Sequence, residues 1–149
     1  IATGEALVGD CGAPPRLNDY TVIGDVANLS ARLESANKQF GSSILIDGRT
    51  KSLIQSDDLP LCEVGPIQVV GRDTVVELWM ISTEALTSDV RVTASKLASA
   101  IQSGDRTKAQ EALAALEALE GSSKRISLIS EVVNSDTEPM PRTIQLREK

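Results

Sequence analysis

Two side chains suited to gripping a phosphoester stand four residues apart, Asn28 and Arg32. A guanidinium presents a rigid fork of donors that matches phosphate oxygens, and a carboxamide both donates to and accepts from hydroxyl oxygens. On a helix, positions i and i+4 lie one above the other, so both groups can face one ligand. On spacing alone, a pair of solvated helix residues is the better explanation. Other chemistries lack their residues. There is no histidine, and the two cysteines, Cys11 and Cys62, have no CxxC spacing, so no zinc set forms. Gly9 and Gly12 punctuate a loop, but the Gly-Lys-Ser/Thr ending of a P-loop is missing.

The pair needs a helix, and the surrounding pattern predicts one. Asp25 reads as an N-cap, and Val26, Leu29, Leu33, Ala36 and Phe40 recur at helical spacing up to Gly41, a C-terminal glycine. Asn28 and Arg32 fall on an edge of this helix, beside the apolar face. Strands are expected at Ala6–Val8 and Tyr20–Ile23 before it, with a glycine- and proline-containing loop over 9–17. After it come a strand at Ser43–Ile46, a short helix at Arg49–Ile54, and strands at Leu61–Val64, Ile67–Val70 and Thr74–Ile81. A tight turn at Gly71, Arg72 and Asp73 joins the last two. The order implies an α+β sandwich with helices on a sheet. Past Ser82 strand signals stop. Asp89–Gln102 and Asp105–Leu119 read as a helical hairpin, and 122–149 as weakly structured. The expected division is therefore 1–82, 83–121 and 122–149.

Composition narrows the partners. Hydrophobic residues make up 41% of the chain but aromatics only 2%, so aliphatic side chains must fill the core. A net charge of −6, with no basic run to offset it, argues against nucleic acid and anionic membrane surfaces. No apolar stretch approaches the ~20 residues of a bilayer span. We expect reduced thiols, a cytoplasmic setting and, because Ile1 opens within a strand-like run, a chain cut from a longer one.

The stretch from Asp19 to Glu34, DYTVIGDVANLSARLE, closely resembles the signature of class III nucleotidyl cyclases. Ile1 to Gly12, IATGEALVGDCG, is similar to the strand and glycine loop before that signature, with Gly4, Gly9 and Gly12 in register. Val64 to Trp79, VGPIQVVGRDTVVELW, is similar to the closing hairpin. The resemblance covers about the first 82 residues and implies the C-terminal half of a ferredoxin-like cyclase catalytic domain, followed by the helical tail. It further implies conversion of ATP to 3′,5′-cyclic AMP and pyrophosphate in a homodimer with interface active sites. Mg²⁺ or Mn²⁺ would serve, held by aspartates upstream of this chain; Asp10, Asp25 and Asp47 do not replace them. Carried over by position, Asn28 orients the ribose and Arg32 meets the phosphate. Thr21, three before Gly24, faces the base as in a Thr-type adenylyl cyclase subgroup, although its hydroxyl does not exclude guanine. Asp19 neighbours the base, and Arg72 reaches the triphosphate, though Val70 stands where many relatives carry Lys. The fragment by itself is expected to be inactive. Two other readings remain: a non-catalytic cyclase-like regulatory or dimerisation module, and a helical interaction element built on the 109–119 stripe.

Overall fold

Leu7–Cys11 (β1) and Asp19–Ile23 (β2) form an antiparallel ribbon, with Leu7 opposite Ile23 and Cys11 opposite Asp19. The strand expected to stop at Val8 continues because β2 supplies ladder partners as far as Cys11. The structure, a computed structural model, describes residues 1–12, 19–56, 58–69, 74–82 and 86–146. Asp25–Phe40 (α1) follows the ribbon. Its N-cap is Gly24, not the expected Asp25; Asp25 occupies the first turn, where its charge complements the positive end of the helix dipole. Leu29, Leu33, Ala36 and Phe40 are buried, and Gly41 closes the helix in the left-handed conformation at φ 66°.

Ile44–Asp47 (β3), Leu61–Gln68 (β4), Val75–Ile81 (β5) and Ile144–Gln145 (β6) form a mixed sheet in the order β3-β5-β4-β6. β5 runs antiparallel to both neighbours, and β6 lies parallel to β4. Between β3 and β4, Gly48–Leu53 (α2) is capped by Asp47, whose carboxylate accepts from Thr50 N–H. The two strands expected over 61–70 are one. Its register slips between Glu63 and Gly65, where Gly65 adopts φ 123° and Pro66 follows, so a bulge absorbs both residues without ending the strand. The expected turn at 71–73 lies outside the described residues.

Ser88–Ser103 (α3) and Arg106–Glu120 (α4) pack against each other. Thr87 caps the first and Asp105 the second, each side chain accepting a backbone N–H three residues on. α3 also lies along β4. Lys124–Val133 (α5), which the sequence left as weakly structured, is a helix capped by Ser123 that buries Ile126, Leu128, Ile129 and Val133. Beyond it, Arg106 donates to the carbonyls of Val133 at 2.9 Å, Thr137 at 2.6 Å, and Ser135, and pairs with Glu138 at 3.1 Å. Met140, Ile144 and Leu146 are then buried. Proline content and polarity hid this segment because its order comes from a distant guanidinium and from β4, not from local propensity.

Among the described residues two charged side chains are buried, Asp47 at the end of β3 and Arg125 on α5. Arg125, 3% exposed, donates to Cys62 Sγ at 2.8 Å and pairs with Glu120. Burial pushes the Cys62 thiol above its ordinary range, and the neighbouring guanidinium pulls it down without reversing the shift. The thiol is thus neutral near pH 7.

Two outcomes follow. Leu97, on α3 and 1% exposed, touches the core shared by helices and sheet. Leu97→Ala should cost ~2–5 kcal/mol, with helix circular dichroism and Trp79 fluorescence moving in one transition during chemical denaturation. For Cys62 the folded thiol holds its proton at a pH where the unfolded thiol, with an ordinary pKa near ~8.5, has lost it. Stability should therefore fall as pH rises above about 8.5, and the wild-type minus Cys62→Ala difference in denaturant midpoints should shrink from pH 7 to 10.

Candidate functional site

β2 delivers the first candidates. Thr21 is half-buried opposite Gly9, and Asp19 is exposed opposite Cys11. Strand alternation puts Asp19, Thr21 and Ile23 on one face of the ribbon. Ile23 then passes through a single residue, Gly24, into α1. Gly24 has φ 153°, and a Cβ there would lie 3.2 Å from the Glu5 carbonyl oxygen and 3.3 Å from Ala6 Cα. Only glycine permits this junction without strain, and it fixes the end of β2 against the first turn of α1.

Asn28 and Arg32 occupy the first and second turns of α1, one turn apart. Asn28 is exposed and Arg32 half-buried. Among the described residues, neither side chain has a hydrogen-bond or ion-pair partner. Leu29 at 6% and Leu33 at 0% exposure hold the adjoining face of α1 in the core, so the helix cannot roll to hide the polar edge. The structure thus joins Thr21, Asn28 and Arg32 through one short, rigid connection. An amide and a guanidinium on one edge, beside a hydroxyl-bearing strand, suit a ligand that carries hydroxyls and a phosphate. Arg72 lies outside the described residues.

The acids behave differently. Asp47 is buried at 6% exposure. It accepts from Thr50 N–H at 3.0 Å, from Thr3 N–H at 3.3 Å, and from the Thr50 hydroxyl, so it ties α2 and the N-terminal segment to the end of β3. A cleft of about 530 Å³ at the foot of α1 takes in Asp25, Asp47, Arg49 and Glu77 but neither Asn28 nor Arg32. Sequence reading missed this cleft because its walls come from four separate segments that share no local motif. Among the described residues there is no group of three His, Cys, Asp or Glu side chains that could hold a metal ion. The residues present do not fit the catalytic cations the resemblance implies.

The ribbon carrying Thr21 is unusual in another way. Leu7, Val8, Tyr20, Val22 and Ile23 are 48–78% exposed, and strand alternation distributes them over both faces. A two-stranded ribbon with apolar side chains on both faces is marginal in water without a further layer.

No family model matches the chain. It is 37% identical over 79 residues to Adenylate cyclase 1 of Rhizobium meliloti (strain 1021), a match covering 53% of this chain and 12% of that protein. It is 34% identical over 82 residues to an adenylate cyclase of Anabaena cylindrica, covering 53% of this chain and 16% of that one. The chain therefore spans less than a fifth of the length of either relative. Among solved structures, it is similar to the adenylyl cyclase CyaB of P. aeruginosa, with 38% identity over 58% of this chain and 43% of that one, at a TM-score of 0.45. It is also similar to a bacterial light-regulated adenylyl cyclase, with 23% identity over 58% of this chain and 23% of that one, at a TM-score of 0.47. The relatives it matches are adenylate cyclases. Among the described residues, no helix is long and apolar enough to cross a membrane.

The junction glycine gives a direct check. Gly24→Ala should destabilise the fold by ~1–3 kcal/mol through backbone strain and contact with Glu5 and Ala6, read as a lower denaturant midpoint. An alanine variant of equal stability to wild type would show that the β2–α1 junction is not the rigid connection described.

Proposed function

We propose that residues 1–82 are the C-terminal half of the catalytic domain of a class III adenylyl cyclase of the Thr type. They supply one side of an active site that converts ATP to 3′,5′-cyclic AMP and pyrophosphate. The observation that carries the reading is the pair Asn28 and Arg32, unpartnered on one edge of α1 and joined through Gly24 to the strand of Thr21, in a chain whose matched relatives are adenylate cyclases.

In this reaction the ribose 3′-hydroxyl gives its proton to solvent as its oxygen bonds to the α-phosphorus, and the bond from that phosphorus to the bridging oxygen breaks, its electron pair leaving on pyrophosphate. Negative charge gathers on the α-phosphate oxygens as the two bonds exchange. Arg32 answers that charge with a rigid fork of donors. Asn28 holds the ribose so that the 3′-hydroxyl stays in line, which is a gain in positioning rather than in acid–base chemistry. Thr21 gives the adenine edge a hydrogen bond from the adjoining strand, with Asp19 beside it, and Arg72 meets the triphosphate. Mg²⁺ or Mn²⁺ supplies charge neutralisation for such a transfer, and its ligands belong to sequence outside this chain. The two-faced apolar ribbon supports the same reading, since it needs cover that an upstream half and a second protomer would provide in a cytoplasmic homodimer. Alone, the fragment is then inactive.

The experiment joins the upstream half to this chain and measures cyclic AMP made from ATP with Mg²⁺ or Mn²⁺. Asn28→Ala and Arg32→Ala should each lower kcat by about 10²–10³ fold, and the 149-residue chain alone should make none. A joined protein that is folded and dimeric but inactive would point to a non-catalytic cyclase-like module. A fully active Asn28→Ala, Arg32→Ala double variant would remove these residues from the site.

A further inference from the structure

A second cavity lies away from the α1 edge and shares no residue with it. It has a volume of about 350 Å³, lies between α2 with its following loop and the first turns of α3, and is floored by β4 and β5. Leu61, Glu63 and Trp79 rise from the strands, while Arg91 and Ser95 come from α3 and Lys51 from α2. Glu63 and Trp79 are cross-strand partners and share one face of the sheet.

Three features of this cavity call for a ligand. Arg91 Nε is shielded from solvent and, among the described residues, has no hydrogen-bond partner. Buried donors are rarely left so, because losing water without a replacement partner is costly. Lys51 Nζ stands 4.9 Å from the centroid of the Trp79 ring, which brings a second cation to the same wall. Glu63, the carboxylate on the wall, accepts from Ser95 Oγ at 2.7 Å and cancels one of the two positive charges without giving Arg91 Nε a partner. Two cations and one carboxylate leave a single positive charge, which balances a monoanion and not a doubly charged phosphate. Leu61 and the Trp79 ring supply an apolar surface for the body of the ligand, and the size lies within the range of small-molecule sites.

We propose that this cavity binds a small aromatic carboxylate, the carboxyl group meeting the Arg91 guanidinium and the ring lying against Trp79 and Leu61. An arginine fork is the donor geometry that takes a carboxylate with two parallel hydrogen bonds. Bound there, the ligand touches α2, both central strands and α3 together, so it ties the cyclase-like segment to the helices that follow it.

Trp79 is the sole tryptophan of the chain, so its fluorescence reports on this site. The test titrates the full chain with benzoate, excited where benzoate does not absorb, alongside benzamide and inorganic phosphate. Benzoate should give a saturable change and raise the thermal midpoint. Benzamide, phosphate, and benzoate on Arg91→Gln should each bind at least about tenfold more weakly. Circular dichroism verifies that the variant is folded. If it is not, NMR on the wild type replaces it, where benzoate must shift the Trp79 indole N–H and Arg91 Nε–H signals. No saturable change, equal binding of benzamide, an unaffected Arg91→Gln, or shifts that map elsewhere would each overturn the proposal.

Discussion

Leu33, Ile67, Leu78, Ile101 and Ile144 are fully shielded members of one hydrophobic cluster, although they come from α1, β4, β5, α3 and β6. With so few aromatic residues, the chain adds to the buried Phe40 by collecting aliphatic side chains from its whole length. Each fully buried Leu or Ile contributes roughly 1.5–3 kcal/mol, and none of these elements brings enough of them to stand alone. α3 covers β4, while α5 is flanked by α1 and α4, reaches β6, and touches β4 through Arg125 and Cys62. Helices that read as an appended tail are thus part of the same core as the cyclase-like sheet.

That arrangement explains why α1 is a firm platform. Its buried face, from Leu29 to Phe40, is gripped by β3 and α5, so the orientation of Asn28 and Arg32 is set by packing rather than by contacts of their own. Both side chains remain available because nothing described competes for them. The ribbon of β1 and β2 is the counterpart: well paired along its backbone, but with apolar side chains exposed on both faces. A firm helix edge meets an uncovered ribbon at Gly24, and Thr21, Asn28 and Arg32 lie on either side of that boundary.

Charge inside the core follows the same economy. Arg125 is retained where an aliphatic residue would fit because Glu120, at the end of α4, and the Cys62 thiol, on β4, both receive its donors. A buried cation is tolerable only when it is paired and hydrogen-bonded, and here the pairing links the helices to the sheet. Arg106 performs the comparable task at the surface, satisfying three carbonyls of an irregular segment that has no helix or strand to do so.

The pattern of residues by itself determined much of the first half. The periodicity from Leu29 to Phe40 specifies α1 and the edge bearing Asn28 and Arg32; Gly41, Asp105 and the runs of β-branched residues mark caps and strands. These are local signals, written in neighbouring side chains. Other features were not legible: Gly24 rather than Asp25 as the cap, β4 as one bulged strand, α5 and β6 as ordered elements, and the cavity beside Arg91. Each depends on partners distant in sequence, such as Glu5 against Gly24, Ala98 near Gly65, β4 beside Ile144, and Trp79 across from Glu63. Periodicity reports which face of a segment is apolar, but only tertiary packing decides what that face meets, because burial and the satisfaction of backbone groups are properties of the assembled chain.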